Sequence, residues 1–272
     1  MKQITAVYTV LGMIFLSTGC SICHADDLEA RKIMEKVNDR DDGDNQMSDM
    51  TMVLIDKNNN QRRRQLKVFS KDKGKDTLTL MFFVYPSDVK NTGFLTHDFD
   101  DPSKDDNQWL YLPALKKTKR IATSDKSGSF MGSDMNYSDM TKRALKDYEF
   151  KFYEKGKQKK VENADTWVIW CVPRSEQIAE ETGYDKVLVF VRQDNFIVTR
   201  SLAWEQGTQY LKFFDVETLE KIDEIWVATQ VSIIRKKGKS IVHKTILNLE
   251  NVRFNQDLSE SLFTIRKMET GL

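Results

Sequence analysis

Apolar residues recur at every second position along most of this chain, and that period constrains its fold more than any other feature. Met50, Met52 and Leu54 alternate with Thr51, Val53 and Ile55. Leu78, Leu80, Phe82 and Val84 line one face of residues 75–84. A period of two throws successive side chains to opposite sides of an extended strand. Turn signals punctuate the pattern: Lys57-Asn-Asn-Asn-Gln61, Gly156, Asp194-Asn195, Gly207 and Lys236-Lys-Gly238. Residues 108–112 read as a strand stopped by Pro113, with a basic hairpin partner at 116–123. Two long strands, 224–235 and 240–254, close the series. The reading gives about eleven strands with few helices.

Helical signals are local. Leu28, Ile33, Met34 and Val37 share a face of residues 26–37, and Asp26 and Asp27 stand in the first turn. Short helices are expected at 138–147 and 258–263, and a helical turn or loop at 175–182. The mainly β pattern predicts one antiparallel sheet, strongly curved into a barrel or half-barrel. Val187-Leu-Val-Phe-Val191 and Leu80-Met-Phe-Phe-Val84 are apolar on both sides. A sheet with one wet face alternates cleanly, so both faces of these strands need cover. The inside is either packed side chains or a ligand cavity.

The N-terminus sets the compartment. Lys2, an apolar run from Ile4 to Leu16, then Ser17-Thr18-Gly19-Cys20 and Cys23-His24-Ala25 form the layout of a bacterial secretory signal, residues 1–25. Cleavage after Ala25 leaves a periplasmic chain, read as a single domain over 26–272. Lipidation at Cys20 is the alternative. The formal net charge is +1, and removing Lys2 leaves basic and acidic residues equal. That balance argues against nucleic acid as a partner. Cys171 is then the one cysteine, in an apolar run that suggests a buried thiol.

Residues 124–140, Ser-Asp-Lys-Ser-Gly-Ser-Phe-Met-Gly-Ser-Asp-Met-Asn-Tyr-Ser-Asp-Met, look at first like a catalytic loop. Gly128-Ser-Phe-Met-Gly132 lacks the G-x-S-x-G spacing of a nucleophile elbow, and no Lys follows the glycines as a phosphate loop requires. His97 and His243 offer no supported triad. The His and Cys residues are too scattered for zinc. Asp98, Asp100, Asp101, Asp105 and Asp106 lack the glycine and closing Glu of a calcium loop. No catalytic residue, metal or cofactor is expected. Phe130, Met131, Met135 and Tyr137 instead suit a segment that covers an apolar opening and moves aside. Trp109, Tyr111, Trp167 and Trp170 either pack in the core or line a cavity.

Gln108-Trp-Leu-Tyr-Leu-Pro113, Lys119-Arg-Ile121, Gly128-Ser-Phe-Met-Gly-Ser-Asp134 and Tyr137-Ser-Asp139, taken in that order, resemble the outer-membrane lipoprotein-sorting family of LolA-like proteins. The resemblance covers most of the chain from Asp26 onward. It implies a half-open antiparallel β-barrel with helices as a lid, and an apolar cavity that takes the acyl chains of a lipoprotein or lipid without covalent chemistry. It implies carriage toward the outer membrane, with an RND-type membrane exporter as partner. An envelope sensor or scaffold on the same fold is the alternative. On this resemblance Trp109, Tyr111, Phe130, Met131, Met135 and Tyr137 are the expected cavity or gate contacts. Arg120 would meet a lipid headgroup or a partner's acidic edge, with an ordinary solvated side chain as the plainer reading, and Asp134 and Asp139 would only cap the helix at 138 or its neighbour. The family's founding carrier holds its closed state with an arginine, to which no residue is assigned from the sequence.

Overall fold

The computed structural model describes residues 26–101, 103–154 and 159–272, so the leader and Cys20 lie outside the described residues. Helix α1, Leu28–Asn38, begins at Asp27, whose side chain accepts from the amides of Glu29 and Ala30. The chain then runs up and down through β1 (Asn45–Asp56), β2 (Gln61–Lys73), β3 (Asp76–Tyr85), β4 (Gly93–Asp98), β5 (Asn107–Leu112) and β6 (Lys117–Arg120). A strap without regular strands, residues 121–147, crosses to β7 (Tyr148–Phe152). Strands β8 (Lys159–Val161) and β9 (Ala164–Pro173) lead to helix α2 (Glu176–Thr182). Strands β10 (Tyr184–Arg192), β11 (Val198–Glu205), β12 (Tyr210–Ile222), β13 (Ile225–Lys237) and β14 (Ser240–Phe254) follow, and helix α3 (Ile265–Thr270) ends the chain.

These strands make one sheet in the order β6-β5-β4-β3-β2-β1-β14-β13-β12-β11-β10-β9-β7, with β8 on β9 and every pairing among the described residues antiparallel. The sheet does not close, for β6 and β7 are its two edges. Two wings therefore meet at a seam between β1 and β14. The fold is mainly β and antiparallel, as the alternation predicts, and its open edges make it the half-open barrel that the resemblance implies. Charges protect the β6 edge, where Lys117, Lys119 and Arg120 are exposed.

Both faces of the first wing are covered, as its doubly apolar strands require. Met52, Leu54, Leu66, Val68, Phe83 and Phe94 point inward beneath the strap. Phe69, Leu78, Leu80, Phe82 and Leu95 point outward and pack against Leu258, Phe263 and Met268 of the C-terminal segment. Gly93 permits that contact, because a Cβ there would lie 2.5 Å from the Met268 side chain. In the second wing, Ala30, Ile33 and Met34 of α1 cover Ile169, Cys171, Val187, Val189 and Val191.

The helices depart from expectation at two places. Residues 138–147 form two 3-10 turns, Tyr137–Met140 and Leu145–Asp147, in place of one helix. Asn136 and Asp139 close a reciprocal capping box around the first turn, which favours a tight turn over helix propagation. The closing element is a 3-10 turn, Glu260–Leu262, followed by α3, where a helix was expected at 258–263. Thr264 caps α3 by accepting from the Lys267 amide.

Candidate functional site

The strap enters from the β6 edge, crosses the inner face and leaves at the β7 edge. Its central turn drives Phe130 into the first wing until the side chain is 1% exposed. The Phe130 ring lies 5.0 Å from that of Phe94, 5.8 Å from Tyr137 and 6.3 Å from Phe83, measured between centroids. Met131, Met135, Tyr137 and Met140 pack around the same cluster. The space expected as an apolar cavity is thus occupied by the protein's own side chains. Tight interior packing makes this the natural closed arrangement, since a dry void would lose dispersion contacts on every lining atom.

Polar groups pin the strap at its ends. On the first wing, Gln108 of β5 donates to the Tyr137 carbonyl at 2.9 Å. Arg64 of β2 donates from its guanidinium to the Met131 carbonyl, and lies over the Phe83 ring at 5.9 Å. Burial holds the Arg64 pKa below the usual arginine value. Arg64 is thus an arginine that binds the strap in this arrangement. Met131 itself has φ +49°, so the carbonyl is presented from a left-handed turn.

The second wing holds the strap by charge. Asp134, 4% exposed, receives a bond at 2.7 Å from the Thr245 hydroxyl and lies 2.7 Å from His243 Nδ1, both on β14. The Asp134 amide donates to Thr245 Oγ1 at 3.0 Å. Lys212 of β12, also 4% exposed, donates to Asn136 Oδ1 at 2.8 Å and approaches the Tyr184 hydroxyl at 3.3 Å. Tyr184 of β10 donates to Asp139 at 2.7 Å. Behind Lys212, Glu205 is engaged by both nitrogens of Arg235 at 2.7 Å, leaving Lys212 4.0 Å from that carboxylate. Burial pulls the Lys212 pKa below the ordinary lysine value, opposed by Asp139, Glu205 and Asp134. Burial, then Asp139, pushes the Tyr184 hydroxyl well above the ordinary tyrosine range. Helix α2 completes the clamp, as its Thr182 carbonyl accepts from Asn136 at 3.0 Å and Ser138 at 2.9 Å. The helix stops at Gly183 (φ +78°), where a Cβ would meet Asn136 at 2.8 Å.

The residues expected at the gate fall into two groups. Phe130, Met131, Met135 and Tyr137 come together on the inner face. Trp109 and Tyr111 stand on the outer face of β5, packed against the C-terminal segment. Trp109 meets His97 edge-on at 5.1 Å, and His97 Nε2 lies 3.1 Å from the Phe263 carbonyl. Arg120 pairs across the ladder with Trp109 and donates to Asn107 at 2.6 Å on that same outer side. The structure therefore separates Trp109, Tyr111 and Arg120 from the strap, because alternation along β5 turns Gln108 and Leu110 inward instead. Asp139 is a cap as expected, but Asp134 is a buried anchor to β14 and caps nothing.

The strap serines on either side of Phe130 are committed within the strap. Ser133 donates to the Phe130 carbonyl at 2.8 Å, and Ser129 to the Ser133 carbonyl at 2.6 Å. Burial pushes the Cys171 thiol up to about 12, which leaves it protonated and unreactive. A second, polar cleft of about 700 Å³ lies between α1, the β3–β4 end and α2. There burial raises Asp98 to about 7, with Asp106 adding to the rise against a bond from the Lys142 amide.

A family model described as "-like: Uncharacterized protein" matches residues 75–270, more than half of the chain. No curated protein matches it. Among solved structures, a DUF1329 family protein from Desulfovibrio piger ATCC 29098 superimposes with a TM-score of 0.80 at 24% identity, over 90% of this chain and 100% of that one. An outer membrane lipoprotein-sorting protein domain from Vibrio parahaemolyticus gives 0.78 at 27% identity, over 89% and 98%. A LolA superfamily protein from Nitrosomonas europaea gives 0.64 at 17%, over 87% and 98%, a likeness of fold.

Proposed function

The chain belongs to the LolA-like family, and from that premise we propose that it is a non-enzymatic periplasmic carrier of acyl chains. The cargo is a lipoprotein or a lipid, moved toward the outer membrane. The observation that carries this reading is the strap: Phe130, Met131, Met135 and Tyr137 fill the inner face where an acyl chain would lie. A carrier needs a binding surface that is never left bare to water and never sealed for good. A movable apolar plug meets both needs.

Magnitudes support an exchange of plug for cargo. Burying one large apolar side chain contributes about 1.5–3 kcal/mol. Acyl burial contributes about 0.8 kcal/mol per CH₂, so a chain of roughly a dozen methylenes competes with the whole plug. Neither state wins by so much that transfer stalls. Arg64, Lys212 and His243 set the threshold, since their bonds to the strap must break before it lifts. Among the described residues, no helix is long and apolar enough to cross a membrane. The resemblance implies an RND-type membrane exporter as the partner for loading or unloading.

A specific surface favours a second reading, a scaffold with a protein partner. Trp170 and Trp204 lie 5.1 Å apart on the outer face of the second wing, with Lys186 Nζ 4.9 Å and 5.0 Å from their rings.

The test is mass spectrometry of lipids extracted from the mature protein, purified from the periplasm without detergent. A stoichiometric acyl lipid is expected. A lipid-free protein that also refuses added fatty-acyl probes overturns the carrier reading in favour of the scaffold.

A further inference from the structure

The strap carries more information than its apolar bulk. It is laid out like an amphiphile. Phe130, Met131 and Met135 occupy the apolar part of the inner face, while Asp134 offers a buried carboxylate to Thr245 and His243. Two further strap oxygens, the Met131 carbonyl and Asn136 Oδ1, accept from the cations Arg64 and Lys212. A strap that lifts to admit an acyl chain takes all three acceptors with it.

The wall left behind has an excess of donors. Lys212, Arg64, Arg235 and His243 face the inside. Glu205 and, beside Arg64, the exposed Asp88 are carboxylates near them, and Arg235 already holds Glu205 with two bonds. Asp56, opposite His243 on β1, is turned to the amides of Asn58 and Asn60 and to the Asn60 side chain. Arg143 and Asp139 pair within the strap itself and leave the wall together. A buried cation stripped of its acceptor costs far more than a neutral group does. An open state with a neutral ligand would leave Lys212 only the Tyr184 hydroxyl at 3.3 Å and Glu205 at 4.0 Å, whereas an anionic head replaces the lost strap acceptor with a charge-assisted one.

We infer that the inner wall selects a ligand with an anionic head, a phosphate or carboxylate that replaces Asp134 and its neighbouring strap oxygens while the acyl chain replaces Phe130 and the methionines. This rests on the carrier reading and narrows it: the closed protein binds its own imitation of the cargo. Lys212 and Arg64 are the specificity-determining residues, with His243 and Thr245 completing the anion's seat.

The experiment uses the mature, delipidated chain and two pairs of probes that differ only at the head. Palmitate is set against hexadecanol, and dipalmitoyl phosphatidate against dipalmitoyl glycerol, with binding read by competition against a fluorescent fatty-acyl probe. The anionic member of a pair is expected to bind about tenfold more tightly than its neutral match. The pair that shows the larger ratio tells a carboxylate from a phosphate source. Lys212→Met and Arg64→Met should each bring that ratio toward one, while Lys186→Met on the outer face should keep it. Arg64→Met and the wild-type ratios carry the test if Lys212→Met fails to fold. Ratios near one in the wild type, or ratios untouched by both inner-wall variants, overturn the anionic-head inference and leave the carrier reading standing. Refusal of all four probes overturns the carrier reading itself, and this inference with it.

Discussion

The two wings grip the same strap by different physics. Against the first wing the strap is held chiefly by burial: Phe130 sits among Phe83, Phe94 and Tyr137, with methionines filling the gaps. Against the second it is held by hydrogen bonds from Lys212, Tyr184, His243 and Thr245. Apolar burial is additive and indifferent to direction, so it tolerates exchange for another apolar body. Buried charge-assisted bonds are directional and costly to leave half made. One wing thus provides a surface that accepts substitutes, and the other a latch that must be matched.

The largest expected effect breaks the apolar grip. Phe130→Ala should cost about 3–5 kcal/mol of stability in urea unfolding, as for a large side chain deleted from a packed core. Next comes the latch. Asp134→Asn keeps the shape but removes the charge that His243 and Thr245 address, and should cost about 1.5–3 kcal/mol in the same measurement. Tyr184→Phe removes one hydroxyl and should cost about 1 kcal/mol. A Phe130→Ala cost no larger than that of Tyr184→Phe would abolish the contrast between the wings.

Trp109→Ala sharpens the contrast from outside. It should loosen α3 and speed proteolysis near the C-terminus while leaving acyl-probe binding intact, since Trp109 lies across the sheet from the strap. A loss of probe binding would return Trp109 to the gate. The smallest effect belongs to Asp98, at the polar cleft, where solvent screens part of any change. Its folded pKa, about 7, lies above the ordinary carboxylate value of 3.8, chiefly through burial. The stability linked to its proton is therefore fully present below about pH 4 and lost as pH rises through 7. Asp98→Asn should unfold at higher urea than wild type at pH 8, with the gap shrinking at pH 5.

Much of this architecture was legible from local pattern. The period of two located the strands, the acidic pair Asp26 and Asp27 placed α1 though Asp27 caps it from outside rather than standing in its first turn, and the mixed Ser, Gly, Met and Phe content of 124–140 marked a covering segment. The phase of β5 was not legible. Gln108-Trp-Leu-Tyr alternates, but both faces of that wing are buried, so nothing local says whether Trp109 or Leu110 points inward. The latch was invisible for a different reason. Lys212 on β12, Tyr184 on β10, and His243 and Thr245 on β14 are far apart in sequence, brought to Asn136, Asp139 and Asp134 by the curl of the sheet alone. Asp134 is one of many acidic residues, and only its burial against β14 distinguishes it.

The seam between the wings has a consequence for how the chain reaches this state. Strands β2 to β6 can each pair with the strand made just before, through short connections, and β10 to β14 can do the same, β10 by way of α2. The β1–β14 ladder cannot, because it joins Gln46 to Phe254 and Met50 to Leu249. Loop closure over such separations is the slow step in folding β topologies. The central ladder of the finished sheet thus waits for nearly the whole chain to be present. Until then two half-sheets with open edges must be kept from pairing with strangers, which makes the interval between synthesis and closure this molecule's most vulnerable period.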